Sequence, residues 1–254
     1  MFGTFLSHAL LDAIRVGGLM TFAPFFGHAA LSHYVKAGLT VFLTVLLLPV
    51  YAAATGPSAT SVGGWVAMAL GELALGMIAG FTTQFVFQGM ALAGQVIGFQ
   101  FGFSLVNIID PNSQVETTVL SSLHELFALL VFMQLGVHRW LLRAVGASFR
   151  MIPAGSLAAT PPPADALLRA AGAMWVVGAE IAFPVLLATM LVDLTAGFLT
   201  KAAPQFPAMF AGISAKVLIG LAVLYGVVAF WPGVLERYFL RALTNLESLL
   251  TLAH

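Results

Sequence analysis

Long apolar runs separated by short polar breaks dominate the chain, at residues 9–26, 37–54, 63–109, 118–137, 170–200 and 208–231. They are continuous, rich in Ala, Leu, Gly and Met, and lack period-two alternation, which predicts helices and not strands. A helix of about 20 apolar residues crosses a bilayer, so each run is a candidate span. The run 63–109 is too long for one ordinary span, since a straight helix would reach roughly 70 Å over it at a rise of about 1.5 Å per residue. It reads either as two spans with a tight turn near residues 84–89 or as one kinked helix leaving the bilayer. Charge placement favours two spans and seven in all. Lys36, Arg139, Arg143, Arg150, Arg169, Arg237 and Arg241 then share one side, with Lys201 alone on the other. The positive-inside rule makes the richer side cytoplasmic, with the N-terminus outside and the C-terminus inside.

Composition turns these runs into a class. Of 254 residues, 60% are hydrophobic and only 8% charged, with a mean hydropathy of +1.01. An ordinary soluble domain carries about 25% charged residues, so lipid or partner protein must cover the excess apolar surface. The fold class expected is an all-α integral membrane protein of apolar helical hairpins, with six to seven hydrophobic segments. Ten Lys and Arg balance ten Asp and Glu, which points to no nucleic acid and no acidic substrate. The absence of cysteine excludes disulfides and thiolate chemistry. Residues 1–12 carry no Lys or Arg, so the first apolar segment is expected to stay and not to be cleaved as a leader. The polar connection 138–165, with Pro161, Pro162 and Pro163, is the candidate boundary between halves 1–137 and 166–254 of a single helical subunit.

The run 63–109 holds the most informative pattern. On a helical wheel Gly76, Gly80, Gln84, Gln88, Ala91, Gly94, Gln95, Gly98 and Gly102 fall on one arc of roughly 120°. Small residues at four-residue spacing let backbones approach, and amides hydrogen-bond across such contacts, so this face should meet protein. Packing inside one bundle, a subunit contact and a polar-lined pore all satisfy the pattern. Arg15, Glu72, Glu125, Glu180, Asp193 and Lys216 lie within apolar runs. Each needs a partner, a water-filled cavity or an interfacial position. Structural pairing is the plain reading, and an ion relay in a small secondary transporter using Glu72 and Glu180 is the alternative. Asp110, Pro111, Asn112 and Ser113 signal a turn. The polar segment continues through Gln114, Val115, Glu116, Thr117 and Thr118. It reads as a surface turn or as a re-entrant loop enclosed by protein or water. Pro184, Pro204 and Pro207 should kink or end helices.

Catalysis is not expected. His124-Glu125 begins like a zinc-protease motif, but Ala128 stands where the second His belongs. There is no phosphate-binding loop and no nucleophile elbow, and neither a metal nor a cofactor is expected.

Taken in order, several of these residues resemble the FliR family of flagellar export-apparatus proteins, related to the SctT proteins of virulence type III secretion. The resemblance runs through Arg15, Phe22-Ala23-Pro24 and Lys36, then Gly71-Glu72, Gly76 and Gly80. It continues with Ala93-Gly94-Gln95-Val96-Ile97-Gly98 to Asp110-Pro111, then Gly136, His138, Ser148-Phe149 and Ile152-Pro153. It closes with Ile181-Ala182-Phe183-Pro184, Ala203-Pro204-Gln205 and the stretch 212–220. Departures are Phe206-Pro207 where the family usually has Leu-Asn, and Val137 between the Gly and the His. The resemblance implies a non-enzymatic subunit of a protein-export gate in the bacterial inner membrane, at the flagellar basal body. FliP-, FliQ- and FlhB-type subunits are the implied partners, and unfolded flagellar proteins the cargo. It further implies tilted helical hairpins lifted partly above the membrane plane. By position, Asp110 to Thr118 matches the family's plug loop, and the Gly/Gln face its subunit-contact or lumen lining.

Overall fold

A computed structural model describes residues 2–27, 31–51, 61–103, 119–156, 164–203 and 208–252. All regular structure among these is helical. The helices are α1 (Phe2–Phe22), α2 (His33–Tyr51), α3 (Val62–Gln100), α4 (Val119–Gln134), α5 (Val137–Met151), α6 (Ala164–Ala202), α7 (Ala208–Val228) and α8 (Trp231–Leu252). The all-α membrane class expected from the apolar runs is what the chain adopts.

The expected turn near residues 84–89 does not exist, because α3 is one unbroken helix. Gly89 looked like a break, yet its missing side chain serves packing. A Cβ there would lie 2.8 Å from the Met174 carbonyl oxygen and 2.8 Å from Val177 Cβ. With α3 unbroken, the seven-span arrangement and the charge partition built on it fall. Among the described residues, Val62–Gln100 and Leu167–Ala202 are each long and apolar enough to cross a membrane. Two bent pairs raise the number to four if each counts as one span. Hydropathy counts apolar residues without asking whether protein or lipid will cover them.

Local chemistry sets where helices end. Gly102 closes α3 with φ +81°, while Phe103 N–H donates to the Gly98 carbonyl and Gly102 N–H to that of Phe99. This is the paired bonding of a left-handed C-terminal glycine. Gly136, at φ +68°, separates α4 from α5. Pro232 lies in the first turn of α8, where its missing N–H costs nothing. α6 stops at Ala202, two residues before Pro204, consistent with the steric restriction ahead of proline. Pro184 does not end α6, which runs on for more than four turns beyond it.

Much of the supposed connection 138–165 is helix. Val137, Leu141, Val145, Ser148 and Phe149 form the buried stripe of α5, while Arg139, Arg143 and Arg150 are exposed. Its arginines lower the average hydropathy and hid a period that is plainly helical.

The chain forms two compact units. The first comprises 1–85, 132–172 and 238–254, the second 86–131 and 173–237. In the first, α1 packs on α2 and α2 on α5, and Phe132 meets Phe239 edge-on. Where α1 crosses α3, Gly18 and Gly76 face each other so closely that a Cβ on Gly76 would be 3.0 Å from Gly18 Cα. In the second, α3 packs on α4 and α6, and Trp231 meets His124 at a tilt and Phe127 edge-on.

Candidate functional site

A buried charge cluster forms inside the first unit. Arg15 on α1 is 1% exposed and Glu72 on α3 is fully buried, with Arg15 Nε 2.5 Å from Glu72 Oε2. The other guanidinium nitrogens donate to Ser148 Oγ (3.0 Å) and to the Ile152 carbonyl (2.9 Å). Gly155 N–H donates to Glu72 Oε1 at 2.9 Å, and Phe149 lies beneath the guanidinium, 4.3 Å from ring centroid to Cζ. α1, α3, α5 and the turn after α5 therefore converge on one ion pair. Burying two charges is costly unless they are paired and hydrogen-bonded. Here both carboxylate oxygens are engaged, and all three guanidinium nitrogens donate. The cluster can hold helices in register, and the full burial of Glu72 leaves its carboxylate no open surface for ion exchange.

The remaining embedded charges also find partners. In the second unit Lys216 Nζ lies 2.6 Å from Asp193 Oδ2, and Gln100 Nε2 donates to the same oxygen at 3.3 Å. Arg237 pairs with Glu180 at 2.8 Å. Structural pairing thus describes Arg15, Glu72, Glu180, Asp193 and Lys216, including both carboxylates of the transporter alternative. Residue spacing alone could not supply these partners, because Arg15 and Glu72 lie 57 positions apart.

The Gly/Gln face of α3 divides along its length. Gly76 and Gly80 lie against α1, where a Cβ on Gly76 would strike the Arg15 carbonyl and one on Gly80 would come within 2.8 Å of the Phe22 carbonyl carbon. Gly94 lies against α4, where a Cβ would be 2.5 Å from Ser121 Cα. Ser121 Oγ donates to the Ala91 carbonyl beside it. Gly98 is buried, Gln84 and Gln95 are half-buried, and Gln88 is exposed. Gly102 ends the helix. Asp110, Pro111, Asn112, Ser113, Gln114, Val115, Glu116, Thr117 and Thr118 lie outside the described residues.

Described residues whose regular structure is all helical, with one buried ion pair and wide apolar outer faces, define a membrane protein built for packing. Residues 6–242 match the family described as bacterial export proteins, family 1, and the chain belongs to that family. The sequence is similar to several proteins named flagellar biosynthetic protein FliR. That of Pectobacterium carotovorum subsp. carotovorum is 26% identical over 94% of this chain and 90% of its own length. The relative in Escherichia coli K12 is 26% identical over 89% and 86%. The one in Bacillus subtilis 168 is 25% identical over 96% and 94%. The FliR-family resemblance seen in the sequence is thereby borne out.

Proposed function

We propose that this chain is a non-enzymatic subunit of the flagellar type III export gate in the bacterial inner membrane, helping to form the channel that unfolded flagellar subunits cross. The observation that carries this reading is the outer face of α6 and α7. Phe183, Met190, Leu194 and Phe198 on α6, with Leu218 and Tyr225 on α7, are exposed. On the same pair of helices the Asp193 side chain is 52% exposed while paired to Lys216. Hydrocarbon would cover the apolar side chains but is a poor solvent for the carboxylate. A neighbouring subunit covers both, because helix contacts in membranes accept polar groups that hydrogen-bond across them.

The relatives' flagellar names support the flagellar assignment, and the family resemblance supplies the neighbours, FliP- and FliQ-type subunits with an FlhB-type protein alongside. Asp110 to Thr118 is proposed as the plug of the closed channel, and Gln84, Gln88 and Gln95 as polar contacts to a neighbour or the lumen. Opening is then a switch between two packings, with the plug leaving when substrate or partner favours the open one. The test is the native mass of the detergent-extracted protein, alone and co-expressed with FliP- and FliQ-type proteins of its source. A stable hetero-complex containing this chain is expected; a monomer or homodimer indifferent to those partners overturns the reading. In the reconstituted complex, deleting residues 112–115 should raise small-ion conductance, and unchanged conductance removes the plug role.

A further inference from the structure

The exposed face of α5 carries a stripe of positive charge that the clamp and the export role leave unused. At about 100° per residue, Arg139, Arg143 and Arg150 fall within an arc of about 40°. They lie about 140° from the centre of the Leu141, Val145 and Phe149 side that is buried in the protein. All three are exposed, and neither Arg139 nor Arg143 takes part in an ion pair among the described residues. Trp140, 48% exposed, flanks the stripe.

We infer that this stripe binds the headgroups of anionic phospholipids at the membrane surface. Three observations select lipid as the occupant. First, α5 buries Leu141, Val145 and Phe149 in its own unit, so Trp140 is the one large hydrophobic side chain that it exposes to a partner. Second, the guanidinium fork matches phosphate oxygens in geometry as well as charge. Third, an exposed Trp beside basic residues suits the headgroup level, where an amphipathic ring meets both apolar and wet surroundings. The stripe therefore marks where α5 meets the anionic leaflet and holds the first unit at that depth. This inference rests on the chain being a membrane protein and not on the export-gate reading.

The experiment uses the full chain in phosphatidylcholine vesicles doped with spin-labelled phosphatidylglycerol or spin-labelled phosphatidylcholine, and measures how strongly each is retained at the protein surface. Wild type should prefer the anionic lipid, and the preference should fall as salt rises from about 0.05 M to about 0.5 M. Replacing Arg139→Gln and Arg143→Gln together should cut it by roughly five-fold per arginine, as expected for basic residues near an anionic surface. Arg139→Lys with Arg143→Lys should retain most of it. An unchanged preference in the Gln pair, or a salt-independent preference in wild type, overturns the inference. So does a Gln pair that retains anionic lipid normally but loses its partner subunits, which would assign the stripe to an acidic protein surface.

Discussion

The two units each hold a short ion pair on apolar helices, and the surroundings of those pairs give them different work. Arg15–Glu72 (2.5 Å) is sealed: 1% and 0% exposed, with Ser148, Ile152 and Gly155 completing its hydrogen bonds. Lys216–Asp193 (2.6 Å) is open: 17% and 52% exposed, on helices that also expose Phe, Leu and Met. The first is complete within its own chain and acts as an internal lock. The second is satisfied only as far as one chain can satisfy it, and the apolar surface of its helices needs a cover. An embedded charge therefore has no single meaning, and its satisfaction within the chain distinguishes a fold-holding pair from an interface-building one.

The comparison breaks most visibly at Glu72. Glu72→Ala leaves Arg15 buried without its counter-charge, which should destabilise the protein by about 3–5 kcal/mol. Denaturant unfolding of the detergent-solubilised chain reads this as an earlier midpoint. Arg15→Met combined with Glu72→Leu should recover most of the loss, because an apolar pair has no charge to strand. Failure of the double variant to recover would mean that the hydrogen bonds to Ser148, Ile152 and Gly155, and not the charge pair, carry the lock.

Glycine contacts sharpen the comparison at smaller cost. Gly76→Ala drives a methyl group against the backbone of α1 beside Arg15, and Gly94→Ala drives one against Ser121 of α4. Each should lose about 1–3 kcal/mol through overpacking. Combined with Glu72→Ala, Gly76→Ala should be non-additive by more than about 0.5 kcal/mol, since both disturb the seat of Arg15. Gly94→Ala shares no contact residue with that cluster and should add. Unfolding midpoints of single and double variants in one detergent decide between these outcomes.

The smallest effect on the isolated chain is expected at the open pair. Asp193→Asn should change its stability by less than about 1 kcal/mol, as for other partly exposed pairs. Recovery of the hetero-complex in co-expression should drop clearly. Equal recovery would remove Asp193 from the interface and leave the α6–α7 face to lipid.

How much of this was legible depended on whether the signal was local. The apolar runs announced the helices because backbone polar groups in lipid must be satisfied within the segment. The Gly/Gln arc on α3 was visible for the same local reason. Gly89 was misread because glycine serves both turns and close contacts, and only Val177 on another helix shows which applies. α5 was missed because average hydropathy hides an amphipathic helix, although the spacing of Leu141, Val145 and Phe149 carried the period.

Sequence by itself determined the class of this protein: a helical membrane chain with little charge, no thiol chemistry, and an order of motifs that matches the bacterial export family. The tertiary structure decided the meaning of individual residues. It joined Arg15 to Glu72 across 57 positions, turned glycines of α3 into helix crossings, and left Asp193 half open. Composition and period are properties of neighbours along the chain, whereas pairing, burial and close approach are set by which distant segments the fold brings into contact.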